Sequence, residues 1–496
     1  MGVDNEQPHP GTCLSEIDPL LDRVQAAHRG WAGTLAGTRA EVLIAIGDAL
    51  DAAAGELVPL AQTETRLPEG RLRGELKRTA FQLRLFADVI RDGAHTDARI
   101  DHADPDWPMG VPRPDLRRSS RPLGPVLIYA ASNFPFAFSV AGGDTASALA
   151  AGNAVVVKAH PGHPRLSDAT AAVVRSALQT AGADPDLLHV IHGREPGIAT
   201  LKDPRIKAAG FTGSIPGGRA LMDIAMSRPD PIPFYGELGS NNPVFVTQAA
   251  ARERGDEIVA GFVASFTQNA GQFCTKPGTL FVPAGSGMPQ ALAAATLPEG
   301  EPMLNPNIEK AFRAALEERE GHGAVEVLAR GTSSADGAPA PTLLRTSIEE
   351  LLADPVALEE ECFGPTALVV EYDDEAQLIA VARTFAGQLT ATLQAQESCD
   401  VAVLAEELAE RAGRVLFNQW PTGVSVTYAQ QHGGPYPATT APGTTSVGTA
   451  AIHRFLRPVA YQNFPQHLLP EELRDDNPNG VPRLEDGRRV EPVSAR

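Results

Sequence analysis

The apolar residues of the first hundred positions recur at three- and four-residue spacing. The spacing is clearest in residues 38–65 (TRAEVLIAIGDALDAAAGELVPLAQTET) and 74–94 (GELKRTAFQLRLFADVIRDGA). Because this spacing places apolar side chains on one face of a helix, it predicts a helical region packed against a core. A Pro-rich stretch, residues 101–122, then interrupts the pattern.

From residue 122 the pattern changes to short apolar runs that alternate with helical segments. We interpret the runs as strands, and they are PVLIYA, NAVVVKA, LLHVIHG, IKAAGFTG and NPVFVT. Strands separated by helices favour right-handed βαβ units, and therefore a parallel sheet covered on both faces. Ligands of such sheets bind at the carboxyl ends of the strands, so we expect a site at that edge.

A second α/β region is predicted from about residue 239. It begins with a long helical pattern, RERGDEIVAGFVASFTQNA, and contains the candidate strands TLFVPA, AVEVLAR, TALVVEY and RVLFNQW. From residue 469 the chain is rich in Pro, Asn and charged residues, which predicts an extension that either docks on the fold or stays loose. The fold class indicated by the whole pattern is α/β.

Composition and charge narrow the function classes. The chain has 496 residues and a net charge of −19, from 42 basic and 61 acidic residues, which argues against a nucleic-acid partner. Its apolar runs are too short or too interrupted for a membrane-spanning helix, and its first twenty residues lack the pattern of a signal peptide. Four widely spaced cysteines with no CxxC pair do not fit a disulfide framework or a zinc site. We therefore expect a soluble cytoplasmic protein with neither a metal nor a membrane partner.

Cys274, in GQFCTKPG, is the first candidate for chemistry. A single cysteine is more often a buried apolar residue than a nucleophile. However, this one follows an amphipathic helix in a glycine-flanked turn, where backbone N–H groups can stabilise an oxyanion. A thiolate is also the strongest side-chain nucleophile toward a carbonyl carbon.

A nucleophilic cysteine needs a base, and Glu237 is a candidate. Glu237 lies among apolar and small residues in PFYGELGSNNPVFV, although most loop glutamates are simply solvated. Partial desolvation by these neighbours predicts a pKa raised toward neutrality, which suits proton abstraction. Asn133, in AASNFPF, follows a predicted strand, where its amide can donate to an oxyanion or merely stabilise a turn.

Two further segments at strand ends could contact a cofactor. In GFTGSIPGGRAL the glycine spacing does not match GxGxxG, but Gly213 and Ser214 at a helix start form a plausible anion site. Lys158 ends the strand in VVVKAHPGHP, where it is equally well explained as a cofactor contact or as an ordinary surface lysine.

Together these segments resemble the aldehyde dehydrogenase superfamily. The resemblance rests on seven motifs in order: ASNFPF, VVVKAHP, GFTGS, GELGSNNPVFV, GQFCTKPG, EECFGP and FNQWPTG. With the stretch TYAQQHGGPYPATTAPGTTSVGTAAIHRFLRPVAYQNFP, it extends to the NADP-preferring branch that contains α-ketoglutaric semialdehyde (2,5-dioxopentanoate) dehydrogenases and some fatty aldehyde dehydrogenases.

The resemblance implies a role for each matching residue. Cys274 would attack the aldehyde, Asn133 and the Cys274 backbone N–H would hold the oxyanion, and Glu237 would activate the hydrolytic water. The cofactor residues implied are Lys158, His160, Pro161, Gly213, Ser214, Glu361 and Phe363.

The position of Pro161 informs the choice of cofactor. NAD-preferring relatives often carry a glutamate three residues after the strand-end lysine, and here that residue is Pro161. Loss of the carboxylate removes repulsion of a 2′-phosphate, and His160, His163 or Arg194 could add attraction. NADP is therefore the expected cofactor, with use of NAD left open.

The resemblance also implies a three-part fold, aldehyde dehydrogenase-like within the α/β class. A Rossmann-type cofactor-binding domain would comprise residues 1–100 and 122–238, and an α/β catalytic domain residues 239–440. A β oligomerisation flap would comprise residues 101–121 and 441–465, followed by a C-terminal extension, residues 466–496. Such flaps imply a homodimer or homotetramer.

The expected reaction is oxidation of an aldehyde to a carboxylate through a thiohemiacetal and a thioester on the cysteine. The first substrate expected is α-ketoglutaric semialdehyde, and the alternative is a fatty or general aliphatic aldehyde. Phe134, Phe136, Phe138 and Trp420 could line an apolar tunnel for the alternative. Retention of Glu237 argues against a CoA-acylating dehydrogenase, and retention of the cysteine as well argues against a non-catalytic relative.

Overall fold

The computed structural model describes residues 10–490, so part of the segment searched for a signal peptide and the last six residues of the predicted extension lie outside the described residues. The α-helices, in chain order, are α1 Leu14–Ala32, α2 Ala36–Ala52, α3 Ala54–Thr65, α4 Glu69–Asp92, α5 Gly143–Ala151, α6 Pro164–Thr180, α7 Arg194–Lys202, α8 Ile215–Met226, α9 Gln248–Thr267, α10 Met288–Ala293, α11 Pro306–Glu320, α12 Ile348–Ala353, α13 Pro355–Leu358, α14 Glu375–Thr384 and α15 Ala402–Arg411.

The β-strands form three sheets. In chain order they are β1 Ala98–Asp101, β2 Leu116–Pro122, β3 Val126–Tyr129, β4 Val155–Lys158, β5 Leu188–Ile191, β6 Ala208–Thr212, β7 Phe234–Glu237, β8 Val244–Val246, β9 Thr279–Pro283, β10 Glu326–Arg330, β11 Thr342–Ser347, β12 Thr366–Tyr372, β13 Gln388–Gln394, β14 Ala412–Phe417, β15 Leu456–Gln462, β16 Arg483–Glu485 and β17 Arg488–Val490.

Helix α4 shows how the predicted helical region is built. Leu72, Leu76, Leu83 and Phe86 are buried at helical spacing, so one face of α4 packs into the core around α2. The helix ends at Gly93, whose φ of 83° is the left-handed conformation that glycine adopts without strain. The predicted helical region is confirmed, since α1 to α4 cover most of residues 14–92.

The first sheet, in the order β5-β4-β3-β6-β7, is parallel throughout. The chain runs outward in one direction from β3 to β5 and in the other direction from β6 to β7. Strands β3 and β6 are therefore neighbours at the point where the strand order reverses, where ligands of doubly wound sheets bind. The predicted parallel sheet is confirmed.

One predicted strand belongs to a different sheet. The run NPVFVT forms β8, which pairs with β9 and β13 in the second sheet, and the fifth strand of the first sheet is β7, in the PFYGE segment. The sequence prediction was wrong here because an apolar run indicates a buried strand but not which sheet it joins. Strands β11 and β13 were also missed, because their threonines and glutamines interrupt the apolar runs.

The second sheet has the order β10-β11-β12-β9-β8-β13-β14 and is parallel except for its edge strand β10. The third sheet has the order β15-β2-β1-β16-β17. Two strands of the predicted C-terminal extension, β16 and β17, thus belong to the same sheet as the strands β2 and β15 of the predicted flap. They are joined through β1, which pairs with both β16 and β2 and lies mostly in the segment predicted for the cofactor-binding domain. Within the described residues, no helix is both long and apolar enough to cross a membrane.

The edges of the two larger sheets position the residues that carry chemistry. Asn133 follows β3 and Glu237 ends β7, both at the carboxyl edge of the first sheet. Cys274 precedes β9 by five residues and Glu361 precedes β12 by five, both at the amino edge of the second sheet. Because β9 and β12 are adjacent and parallel, residues that precede them come close together.

Candidate active site

A cavity of about 410 Å³ lies where these two sheet edges meet. It brings together eight of the ten residues that the sequence analysis selected. These are Asn133, His160, Gly213, Ser214, Glu237, Cys274, Glu361 and Phe363. Lys158 and Pro161 do not line this cavity: Lys158 is half-buried at the end of β4, and Pro161 is exposed beyond it.

Cys274 lies in a turn whose conformation is fixed by close backbone packing. Residues 269–271 all have positive φ, and a Cβ at Gly271 would lie only 2.2 Å from the carbonyl oxygen of Gly364. The side-chain amide of Asn242 donates to the carbonyl of Cys274 over 2.8 Å and to that of Lys276 over 3.0 Å. Gly271 therefore allows the turn to pack closely against the backbone at Gly364, while Asn242 fixes the orientation of the cysteine.

The backbone of Glu237 is bonded to a neighbouring segment on each side. Its carbonyl accepts from the N–H of Gly213 over 3.1 Å, and it forms an isolated β-bridge with Thr439. Its side chain is buried, with 3% of its surface exposed, and Ser446 Oγ donates to its Oε2 over 2.7 Å. The carboxylate consequently has one fixed position beside the cysteine.

His432 is the functional candidate that sequence reasoning missed. Its Nε2 lies 2.9 Å from Glu237 Oε1 and 3.5 Å from Cys274 Sγ, and ligand atoms of these three residues all lie within 4.8 Å of one another. Its Nε2 is placed to donate to Glu237, and its buried Nδ1 has no hydrogen-bond partner among the described residues. This histidine therefore contacts both candidate catalytic groups.

The ionisation of Glu237 beside Cys274 differs from the sequence prediction. Burial alone would raise the pKa of Glu237, but the His432 ring and hydrogen bonds from His432 and Ser446 outweigh it, and the pKa lies below its ordinary value. The predicted rise was wrong because apolar neighbours in sequence do not reveal these two distant partners. Burial, followed by the nearby Glu237 charge, raises the pKa of the Cys274 thiol well above its ordinary value. At neutral pH the pair is thus a thiol beside a carboxylate.

Asn133 keeps one donor for a ligand. Its side-chain Nδ2 donates to the backbone carbonyl of Gln272 over 3.1 Å, and its backbone carbonyl accepts from the Arg71 guanidinium. A primary amide carries two N–H donors, so the second remains for an oxygen atom in the cavity. The side chain is 8% exposed, which limits competition from water.

Glu361 and Phe363 line the same cavity from the second sheet. Burial raises the pKa of Glu361 to about 7, although the neighbouring Lys276 opposes the shift. The Lys276 ammonium donates to three carbonyls around this loop, those of Cys362 and Thr366 at 2.7 Å and that of Gly364 at 3.2 Å. Lys276, also missed from sequence, thus anchors the loop that presents Glu361.

A second cavity, of about 360 Å³, also has Cys274 in its wall. Phe134, Phe138 and Phe273 line it, together with Arg71 and Arg78 of α4. Two of the aromatic residues predicted for a tunnel lie elsewhere, because Phe136 is buried in the core and Trp420 packs against Phe262. Cys274 is therefore accessible from two separate spaces.

Comparison with known proteins identifies the family. The sequence profile described as "Aldehyde dehydrogenase family" matches residues 12–456. The chain belongs to the aldehyde dehydrogenase family. The chain is 45% identical to alpha-ketoglutaric semialdehyde dehydrogenase 2 of Azospirillum brasilense, over 96% of this chain and 92% of that protein. It is 41% identical to alpha-ketoglutaric semialdehyde dehydrogenase of Acinetobacter baylyi, over 96% and 91%.

The fold agrees with this membership. The crystal structure of an aldehyde dehydrogenase from Brucella melitensis superposes with a TM-score of 0.75 at 24% identity, covering 91% of this chain and 90% of that chain. The α/β, aldehyde dehydrogenase-like fold and the activity predicted from the sequence, NAD(P)-dependent aldehyde oxidation, are confirmed.

The 410 Å³ cavity fits a dinucleotide of the kind that aldehyde dehydrogenases use. Ser214 caps α8 by accepting from the N–H of Gly217, and the N-terminus of this helix, with Gly213 before it, forms part of the cavity wall, where the helix dipole favours a phosphate. A Cβ at Gly213 would lie 2.7 Å from the Phe211 ring, so a larger residue would disturb this wall. A pyrophosphate would therefore fit at the N-terminus of α8 in this cavity.

Two histidines do not supply the charge that the sequence analysis considered for a 2′-phosphate. Burial lowers the pKa of His160 to about 3, and His163 is fully enclosed, with Nε2 2.9 Å from the carbonyl of Ala131. Arg194, which begins α7, is exposed. Of the three residues considered, it is the one whose charge is available at neutral pH.

Proposed function

We propose that this aldehyde dehydrogenase oxidises α-ketoglutaric semialdehyde to 2-oxoglutarate, with NADP as the preferred cofactor. The observation that carries the proposal is the cluster at Cys274, where a thiol, a buried carboxylate and an amide donor line one cavity. The two relatives above 40% identity, which carry the name of this substrate, support its assignment.

In the proposed first step, Cys274 attacks the aldehyde carbon. Because the pKa of its thiol is raised, the proton must leave as sulfur attacks, and Glu237 is the adjacent acceptor. The developing oxyanion is held by the free N–H of Asn133 and the backbone N–H of Cys274. The bound cofactor supplies one piece of chemistry, acceptance of a hydride from the thiohemiacetal carbon, which leaves a thioester on the cysteine.

In the proposed second step, Glu237 acts on water. It first releases the thiol proton to solvent and then takes a proton from the water that attacks the thioester carbon. The carboxylic acid leaves, and the cysteine thiolate recovers a proton from Glu237. The contacts from His432 and Ser446 hold the carboxyl group in place, and they favour its ionised form at the start of each step.

For the cofactor, the exposed Pro161 and Arg194 support NADP. A glutamate at position 161 would repel a 2′-phosphate, whereas an exposed guanidinium attracts one. Cytoplasmic localisation and a homodimer or homotetramer stay predictions from the sequence.

The test is a direct assay of the purified protein. With α-ketoglutaric semialdehyde and NADP we expect reduced nicotinamide and 2-oxoglutarate in equal amounts, with kcat/KM higher than for a long-chain aliphatic aldehyde. Added coenzyme A should yield no acyl-CoA. A preference for the long-chain aldehyde would contradict the proposed substrate, and a strong preference for NAD would contradict the proposed cofactor.

A further inference from the structure

The 360 Å³ cavity has an uneven charge. Arg71 and Arg78 lie seven residues apart on α4, which is about two helical turns, so they share one face of the helix. Glu75, between them, also lines the cavity. The wall therefore contains two guanidinium groups and a single carboxylate.

The guanidinium of Arg71 is fixed but not fully bonded. One of its nitrogens donates to the carbonyl of Asn133, and its carbon atom lies 5.0 Å from the ring centre of Phe134 and 4.9 Å from that of Phe273. Its NH1 has no hydrogen-bond partner among the described residues. A guanidinium has five N–H donors, so Arg71 keeps unused donors at the cavity.

Arg78 is bonded even more weakly. Among the described residues it makes one long hydrogen bond, of 3.5 Å, to the carbonyl of Val424, and the guanidinium carbon lies 5.6 Å from the ring centre of Phe138. Its NH1, like that of Arg71, has no hydrogen-bond partner within residues 10–490. The aromatic rings orient both cations without satisfying their donors.

Glu75 accepts hydrogen bonds from the backbone and not from the two arginines. Its Oε1 is occupied by the backbone N–H groups of Phe136 at 2.8 Å and Ala137 at 2.9 Å. Burial raises the pKa of Glu75, and Arg71 opposes that shift. The charges of Glu75 and Glu237 both act on Arg78, but among the described residues the NH1 groups of Arg71 and Arg78 have no hydrogen-bond partner, and unpaired buried donors are costly.

We propose that Arg71 and Arg78 form a carboxylate-binding subsite that selects aldehydes carrying an acidic group. This inference rests on the proposed function, and it adds the residues that recognise the charged end of the substrate. The aldehyde carbon lies at Cys274, the carbon chain lies against the three phenylalanine rings, and the carboxylate pairs with the guanidinium donors. A fatty aldehyde in the same cavity would leave these donors unpaired, which favours the acidic substrate over the aliphatic alternative.

The test compares an acidic aldehyde with a neutral aldehyde of the same chain length. Arg78→Met and Arg71→Met keep length and apolar bulk but remove the charge, and kcat/KM is measured for α-ketoglutaric semialdehyde and for pentanal. We expect the ratio of kcat/KM for the acidic aldehyde to that for pentanal to fall by about 100-fold in each variant, mainly through KM. Arg73→Met is the matched control, because Arg73 lies on the same helix, is half exposed and pairs with Glu69 outside the cavity. It should leave both rates unchanged.

Two further measurements keep the outcomes separable. Product inhibition by 2-oxoglutarate, with pentanal as substrate, should weaken in Arg78→Met, and Arg78→Lys should give an intermediate ratio because it retains the charge without the planar fork. If the unmodified enzyme oxidises the acidic aldehyde well but neither arginine variant changes the ratio or the inhibition, the subsite is wrong while the proposed function stands. If the unmodified enzyme oxidises pentanal but not the acidic aldehyde, the proposed substrate and the subsite both fail.

Discussion

The two cavities that meet at Cys274 contrast in charge and in the kind of side chain that lines them. The 410 Å³ cavity has small residues, a helix N-terminus and the acidic groups of Glu237 and Glu361. The 360 Å³ cavity has aromatic rings and two arginines. Under the proposed function, the contrast allows one cysteine to serve two ligands of different chemistry, a dinucleotide on one side and an acidic aldehyde on the other.

The largest effect is expected where the cavities meet. Cys274→Ala removes the atom that must bond to the aldehyde, so the rate of aldehyde-dependent nicotinamide reduction should fall by at least about 1000-fold. Cys399→Ala is the control, since Cys399 is half-buried outside both cavities and should leave the rate intact. A residual rate of several per cent in Cys274→Ala would mean that Cys274 is not the nucleophile, and the two cavities would then share no catalytic group.

The second effect separates the two chemical steps. Glu237→Gln keeps the shape of the side chain but cannot accept a proton from water, so steady-state turnover should fall by about 100-fold or more. Rapid mixing should still show a burst of reduced nicotinamide, formed more slowly than in the unmodified enzyme, and the thioester should then accumulate. The burst remains because removal of the Glu237 charge also lowers the pKa of the Cys274 thiol, so that its proton can pass to water. Complete loss of the burst would mean that proton transfer from Cys274 to Glu237 is indispensable for the first step.

A smaller effect should appear in the pH profile. His432→Leu removes the partner that lowers the pKa of Glu237, and burial should then raise that pKa, so the acid limb of kcat should move to higher pH by about one unit. The sign follows because Glu237 works only when ionised, and a higher pKa means that its activity is lost earlier as the pH falls. Ser446→Ala should move the limb in the same direction by less, because only one hydrogen bond is lost. An unchanged limb in His432→Leu would mean that Glu237 does not control it.

The smallest effect concerns cofactor choice on the side of the larger cavity. Pro161→Glu places a carboxylate beyond β4 and should lower kcat/KM for NADP by roughly 10-fold relative to NAD. Pro161→Gln is the control of matched size without charge and should keep the ratio. Equal losses with both cofactors would show that position 161 does not sense the 2′-phosphate.

The residues at strand ends were predictable from sequence, and the reason is local. Asn133, Gly213 and Ser214 directly follow strands whose apolar runs are unambiguous, and the carboxyl ends of parallel strands meet at one edge. The prediction that Cys274 and Glu237 lie side by side needed the family resemblance as well. Glu237 ends a strand of the first sheet, whereas Cys274 precedes a strand of the second sheet, so no local pattern connects them.

The residues that the sequence did not reveal depend on distant contacts. His432 lies in an irregular stretch between β14 and β15, and its partner Glu237 is 195 positions away. Arg71 and Arg78 carry the charge pattern of an ordinary amphipathic helix, in which arginines usually face water. Only the packing of α4 beside Asn133 and Phe273 turns them toward the cysteine's second cavity.

The central claim, that Cys274 bonds to an acidic aldehyde and passes through a thioester, has one direct test. The Glu237→Gln variant is mixed with α-ketoglutaric semialdehyde and NADP, and the reaction is quenched in acid. The protein is then digested, and the peptide masses are measured by mass spectrometry. We expect a 2-oxoglutaryl group on the peptide that contains Cys274, and no such group on the peptides that contain the other cysteines. An unmodified Cys274 peptide after a burst of reduced nicotinamide would contradict it.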